Sequence, residues 1–439
     1  MFKLKQGLSR IALCGMLAIA SGVVSHAQGQ QTGTIRGTVR DVQGLVLPGV
    51  EVSVQSPALQ GRRTARSGLR GGYEIPGLPP GTYTITFAMN GFAKVSEQAV
   101  VPLGGTALAN VALKPGTVSE TVQVVALVPS AIVSTDISAN ITADNIDSLP
   151  MGRDIFRISE LAPGLTDNAT SDGHLTINDG FGDDNVFLID GVDVNDNIFG
   201  TAHDLFIEDA IEEIQVLTSG ISTEYGRFTG GVVNTITKSG SNQLSGSFRT
   251  NLYKPDWTTP TPFEKANGQD DSSGDLSDNT TYETTLGGPL VLDRLWFFYA
   301  NRVERIADDQ TFGVTGVGFA RTTKNDRNQP KLTGTVASGH VLEGSYMGNS
   351  TAQGRPSFSF SIDPAATINR TLPNDLWVAT YRVAMSSCLF TELQVSRKRL
   401  GFRGNGGTVT DIAESPFITL TQRLAHYNAL YFDAIDPQS

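Results

Sequence analysis

The chain has 439 residues and a formal charge of −11, with 18% charged residues and 47 glycines. Its length makes room for about three domains of roughly 150 residues each, and a glycine-rich, charge-poor composition suits turn-rich β structure rather than a helical bundle. An acidic chain without a basic stripe argues against nucleic acid as a partner.

Residues 1–27 read as a secretory signal peptide. Lys3, Lys5 and Arg10 form its positive end, Ile11–Ala20 is an apolar core too short to span a bilayer, and Ser25-His26-Ala27 is a small-x-small cleavage site before Gln28. Cys14 lies inside the apolar run and follows a bulky Leu13, which is not the pattern of a lipoprotein signal. Cleavage leaves Cys388 as the one cysteine, so the fold needs no disulfide. No later segment has the ~18 apolar residues of a transmembrane helix, so a second encounter with a membrane requires a β-barrel.

Residues 28–115 show short alternating strands between Gly/Pro turns, which predicts a small β-sandwich. Ile35 and Val39 alternate with Thr34, Arg36 and Thr38; Val50, Val52 and Val54 share a face; Tyr83, Ile85 and Phe87 share another after the turn Pro79-Pro80-Gly81. The run "GGYEIPGLPPGTYTITFAMNGF" and the earlier "LPGVEV" resemble the carboxypeptidase regulatory-like domain, a non-catalytic sandwich attached to secreted enzymes and outer-membrane receptors. Arg62, Arg63, Arg66 and Arg70 are expected in a long solvated loop of this unit.

Residues 116–129 form a linker. Glu120, Thr121, Val122, Gln123, Val124, Val125 and Ala126 are an extended, β-rich stretch that reads either as one more sandwich strand or as a separate recognition segment. The stretch resembles a TonB box, the periplasmic peptide by which an outer-membrane receptor is gripped.

Residues 130–243 carry the most specific signal. A strand is followed by a short helix capped by Asp144, by Pro150, and by a second helix predicted over Arg153–Leu161 and stopped at Pro163-Gly164. Then come "NVFLIDGVDVND", "IEEIQVLTSG" and "EYGRFTGGVVNTITKSG". Val186–Ile189 is a buried strand closed by an Asp190-Gly191 turn, where Gly191 permits positive φ. Asp183, Asp184, Asp193 and Asp196 are expected in solvated loops; their spacing does not fit an EF-hand, although oxygen ligands in loops leave calcium open. These motifs in this order, with Asp190, Gly191, Tyr225, Gly226, Gly230 and Gly231 as their marks, resemble the small α+β plug domain of TonB-dependent outer-membrane receptors of the Oar-like subgroup.

Residues 244–439 show longer two-residue alternation. Trp377, Ala379, Tyr381, Val383 and Met385 fall on one face with Thr380 and Arg382 on the other; Leu389, Leu393 and Val395 repeat the pattern after a turn at Ser386–Cys388. A second hairpin turns at Ser338-Gly339. Such strands, apolar on one side and joined by alternately short and long connections, predict part of a transmembrane antiparallel β-barrel, with Tyr381 and Val383 toward lipid and Thr380 on a face that accepts charge. Barrels that enclose a plug have about 22 strands, and the residues after 243 supply seven or eight, so the sequence reads as the N-terminal portion of a larger receptor or a truncated frame.

The fold class expected is therefore mainly β: a sandwich, a plug, and an incomplete barrel. The resemblance implies an outer-membrane receptor or transporter, not an enzyme, with its first domain in the periplasm. Implied partners are TonB of the inner-membrane energising complex, outer-membrane lipid, and an unidentified substrate for which a glycan, a peptide or a metal chelate would all serve. The alternative is a surface-exposed carbohydrate- or ligand-binding adhesive protein without transport, or a receptor fragment without function. No catalytic residue or cofactor is expected. His26, His174, His203, His340 and His426 form no zinc motif, His203–Asp209 reads as a loop entering a strand, and no phosphate-binding G-x-x-x-x-G-K-[ST] loop occurs.

Overall fold

A computed structural model describes residues 31–116 except 60, then 125–126, 137–148, 154–167 and 175–254 except 179, 181, 197–201, 204 and 224. It further describes 257, 259, 262–266, 278–311, 318–354 except 338, 370–386, 389–400, 418–421 and 424–427. The signal segment and most of 117–136 lie outside these residues.

The first unit is a sandwich of two sheets. One holds β1 (Gly33–Asp41), β4 (Gly72–Leu78), β7 (Thr106–Leu108) and β8 (Val111–Leu113); the other holds β2 (Glu51–Gln55), β3 (Arg63–Arg66), β5 (Gly81–Ala88) and β6 (Val95–Val101). The alternating residues read from sequence meet between the sheets: Ile35, Val39, Val50, Val52, Val54, Tyr83, Ile85 and Phe87 are all fully buried. Tyr83 Oη donates to the Pro79 carbonyl at 2.7 Å and ties the Pro-Pro-Gly turn to the strand it launches. The arginine cluster is not all loop. Arg63 and Arg66 bound β3, with Ala65 facing the core, because alternation continues through them.

The second unit is built on a five-stranded sheet of order β10 (Ile137–Thr142), β15 (Ile211–Ser219), β16 (Val232–Thr237), β13 (Val186–Ile189), β14 (Val192–Asp193), with β11 (Leu165–Asp167) and β12 (Leu175–Ile177) forming a small separate hairpin. Helix α1 (Ala143–Ser148) is short as predicted, and α2 (Ile155–Ser159) is shorter than the predicted Arg153–Leu161. Asp144 lies inside the first turn of α1 rather than capping it, where its charge still suits the helix dipole. Asp154 caps α2, accepting from the Phe156 N–H at 2.7 Å. The sandwich touches this unit through Leu103, whose N–H donates to Glu213 Oε1 at 3.1 Å and whose carbonyl accepts from Gln215 Nε2 at 2.9 Å.

The third unit is a seven-stranded antiparallel meander, β17 (Ser245–Tyr253), β18 (Asp278–Val291), β19 (Leu295–Thr311), β20 (Gly318–Ala337), β21 (His340–Gly354), β22 (Arg370–Ser386) and β23 (Leu389–Leu400). Each strand pairs with its sequence neighbours, and β17 and β23 are open edges among the described residues. Short turns follow β18, β20 and β22, while the connections after β17, β19 and β21 are longer. In outer-membrane barrels the short turns are periplasmic and the long loops extracellular.

This sheet is inverted relative to a soluble sandwich. Phe248, Leu286, Leu332, Leu342, Trp377 and Leu393 are exposed, while Glu283, Arg302, Arg327, Lys331, Glu343 and Arg382 are buried. Apolar-out and polar-in is the pattern of a membrane barrel wall wrapped around a polar filling. Tyr381→Arg, on the outer face, is expected to cost about 2–4 kcal/mol near mid-bilayer, read as loss of membrane-integrated protein in heat-modifiability gels; an unchanged yield would argue against a lipid-facing position. Two details differ from the sequence expectation. Val383 is buried, and Thr380 is not on a tolerant lumen face: it is 1% exposed, bonded to Gln394 Nε2 at 3.1 Å and closed over by the plug. A wall facing packed protein tolerates an added arginine no better than a wall facing lipid.

Candidate functional site

The plug and the wall share one core. Met347, Leu376 and Val378 from β21 and β22 join Ile141, Ile158, Phe187, Ile214 and Val233 in a single apolar cluster. What distinguishes this contact is the charge set into it.

The first ionic cluster centres on the "FLIDGV" turn. Asp190 and Gly191 both have positive φ, 46° and 78°, so β13 returns into β14 through a two-residue turn of the primed type. Sequence reading leaves Asp190 as a turn residue; in the fold it is only 2% exposed. Its carboxylate accepts from Thr237 N at 2.9 Å and Thr237 Oγ1 at 2.7 Å, and lies 3.3 Å from Lys331 Nζ on β20. Lys331 also donates to the Thr237 carbonyl at 3.1 Å and faces Glu343 at 3.4 Å. Glu343 lies 3.4 Å from Arg382, which pairs with Glu392 at 2.9 Å. Gln394 Nε2 donates to the Asp190 carbonyl at 2.9 Å. The plug turn is thus bonded directly by side chains of β20 and β23, and the charges of β21 and β22 extend the network behind Lys331.

The second cluster lies at the turn Glu208–Ala210. Glu208 pairs with Arg302 of β19, and Asp209 lies 2.6 Å from Arg249 of β17. Glu283 of β18 faces both arginines, at 3.8 Å from Arg249 and 3.5 Å from Arg302. Arg327 Nη1 donates to the Phe206 carbonyl at 2.8 Å. Burial pushes the Glu208 carboxyl up, and Arg302 and Arg327 beside it pull it back toward the charged form.

The remaining plug-motif residues shape the sheet that carries these turns. Tyr225 packs with Val186, Leu188, Leu217 and Val232. Gly226 has φ 47°. A Cβ on Gly231 would lie 2.6 Å from the Ile177 side chain, and the Gly231 N–H donates to Asn185 Oδ1 at 2.9 Å; a Cβ on Gly230 would collide with the same Asn185 oxygen. A Cβ on Gly231 would also lie 2.8 Å from the Leu217 carbonyl of β15, so Gly231→Val is expected to destabilise the plug by about 1–3 kcal/mol through overpacking, measured by thermal unfolding of the extracted protein; no shift would mean that β12 and β15 both give way.

The acidic loops are engaged rather than free. Asp193 lies 3.1 Å from Arg227 and accepts the Asn195 N–H at 2.8 Å; Asp196 is 3.6 Å from His203. Among the described residues no group of three or more His, Cys, Asp or Glu side chains is arranged to hold a metal. Of the segment Glu120–Ala126, the described part is β9 (Val125–Ala126), which pairs parallel with Gln98 and Ala99 of β6 and forms the edge of that sheet. Glu120–Val124 lie outside the described residues.

Lys331, Glu343, Arg382, Glu283 and Arg302 are the site residues that sequence reading missed. Their signal was present: each is a charge on the polar side of an alternating strand. Alternation assigns such residues to a lumen but does not say that the lumen is filled.

Residues 34–114 match the carboxypeptidase regulatory-like domain family. The chain is 34% identical over 305 residues to the TonB-dependent transporter Oar of Myxococcus xanthus, an alignment that covers 65% of this chain and 28% of that protein. Among solved structures, the siderophore receptor PirA from Acinetobacter baumannii is 20% identical with a TM-score of 0.47, covering 62% of this chain and 41% of that one. The outer membrane transporter YddB from Escherichia coli is 16% identical with a TM-score of 0.47, covering 60% and 39%. The chain thus spans less than half the length of each of these relatives.

Proposed function

We propose that this chain, an Oar-like member of the TonB-dependent outer-membrane receptors, serves energy-coupled import, with the plug held shut by its two buried ionic clusters. The observation that carries the reading is the plug itself: charged turns of one domain are buried against a polar-in, apolar-out wall, an arrangement with no use in an adhesive surface protein. Substrate would bind above the plug, and TonB would take Glu120–Ala126 by strand addition. The pull must then exceed the docking energy at Asp190 and Glu208. Breaking a buried ion pair costs about 3–5 kcal/mol, and one charge crossing 100 mV releases about 2.3 kcal/mol, so a few protons suffice per event.

A cross-linking experiment tests this. With Val122→Cys in the otherwise native chain and a cysteine-scanned TonB periplasmic domain, disulfides are expected at positions along one TonB strand. Cross-links to none of those positions would remove the coupling step. The reading also predicts that mature protein begins at Gln28 and fractionates with outer membranes, which N-terminal sequencing of the membrane fraction checks; an intact Met1 on soluble protein would overturn it.

A further inference from the structure

The sandwich lies across the periplasmic end of the wall. The short, periplasmic turns of the wall follow β18, β20 and β22, and sandwich residues reach two of them. Pro57 and Leu59 share a pocket of about 120 Å³ with Gln243 and Trp296, beside the turn after β18. Just past the turn after β22, a Cβ on Gly77 would stand 2.4 Å from the Phe390 ring. Gln31, ahead of β1, is 6% exposed and accepts a hydrogen bond from Arg382.

The covered space is the one beside the plug turn. A cavity of about 220 Å³ is lined by Asp190, Lys331 and Arg382 together with Gln31, Pro79 and Pro80 of the sandwich. A path that opens by parting Asp190 from Lys331 therefore still meets the Pro79-Pro80 turn. Yet the sandwich is held differently from the plug. The plug shares an apolar core with the wall, whereas the sandwich core is a separate cluster. The sandwich holds the plug through a polar latch on Leu103, which is 1% exposed. Its N–H donates to Glu213 at 3.1 Å, and its carbonyl accepts from Gln215 at 2.9 Å and Asn140 at 3.4 Å. Releasing such a latch exposes neither core.

The latch is joined to β9 through one strand. β6 ends at Val101 and runs straight into Leu103, so its other end points away from the plug. β9 lies parallel to it, Val125 against Gln98 and Ala126 against Ala99. Force on the residues before Val125 therefore loads β6 along its axis, in the direction that withdraws Leu103.

We propose that the sandwich is a second, detachable gate, which seals the periplasmic outlet beneath the plug turn and is drawn off through β6 by tension on β9. The tension rests on the energy-coupled reading above; the seal does not.

The test uses the full chain extracted from outer membranes in mild detergent, with Cys388→Ser and with Ser239→Cys placed in the lining of the covered cavity. A polyethylene-glycol maleimide should label this parent slowly, at a rate that follows the population of the open form. Glu213→Ala strips the acceptor from the Leu103 N–H and is expected to speed labelling roughly tenfold or more. Glu213→Gln keeps a carbonyl acceptor and should stay near the parent rate. Gly77→Asn accepts the positive φ of 70° and wedges the sandwich off Phe390 without touching the plug, so it should speed labelling as well. If Glu213→Ala is not recovered folded, Gly77→Asn decides alone. Fast labelling of the parent, or rates that neither variant raises, overturns the seal. A second arm reads the withdrawal in cells: a short bismaleimide joining Pro57→Cys to Gln243→Cys should give less cross-link when TonB is present and energised than when TonB is absent. An equal yield while TonB is bound to the chain overturns the withdrawal and leaves energy coupling standing. Failure of TonB to bind the chain overturns the coupling reading and the withdrawal with it, and the labelling rates still decide the seal.

Discussion

Replacing Lys331 by methionine is expected to loosen the plug without removing the wall from the membrane. The ammonium is 3% exposed and is shared between Asp190 at 3.3 Å and Glu343 at 3.4 Å. Methionine fills the same volume but leaves two buried carboxylates with Arg382 as the nearest remaining cation. Breaking a buried pair by removing one partner costs about 3–5 kcal/mol, because the surviving charge stays desolvated. Asp190 keeps its bonds from Thr237, so the turn itself should persist while its hold on β20 is lost. The expected result is an earlier thermal transition of the extracted protein and faster proteolysis within 137–237, with heat-modifiable mobility retained. Asp190→Asn in the Lys331→Met background should recover part of the loss, since it removes one stranded charge. A double-mutant cycle with no coupling between the two positions would show that Asp190 and Lys331 do not act as a pair.

The same residues show how far the sequence could be read. Three units in order, the sandwich faces and the membrane wall all follow from period-two alternation and turn residues, because Val52, Ile85 and Leu393 need no knowledge of distant partners to choose a side. Asp190 is different. Its turn is local and was legible, but its burial depends on Thr237 and Lys331, 47 and 141 residues away. Thr380 was misjudged for the same reason: alternation gives the face, and only the packed plug decides what that face meets. The helix limits slipped because Thr142 and Asp154 leave the helical conformation just before α1 and α2, positions that composition alone does not separate from their neighbours.

The segment Glu120–Ala126 supports two readings that a single substitution separates. Strand addition rests on backbone donors and acceptors, each worth ~1 kcal/mol net, with side chains contributing less. Proline removes the N–H and fixes φ. Val122→Pro is therefore expected to weaken binding of the TonB periplasmic domain to the extracted receptor by roughly tenfold or more, while Val122→Ala has a mild effect. The competing reading starts from β9, where Val125 and Ala126 already extend the sandwich sheet alongside Gln98 and Ala99. If the whole segment belongs to that sheet, proline at 122 should lower the thermal stability of the sandwich and leave TonB binding unchanged. If the segment exchanges between the two partners, Val122→Pro should weaken TonB binding and leave the β9 pairing intact, because that pairing uses residues three and four positions downstream. Hydrogen exchange at Gln98 and Ala99 in the full chain reads the sandwich side directly. Unchanged TonB affinity in both Val122→Pro and Gln123→Pro would sink the TonB-box assignment whatever the exchange rates show, since adjacent N–H groups of an added strand point to opposite sides and one of the two must face TonB.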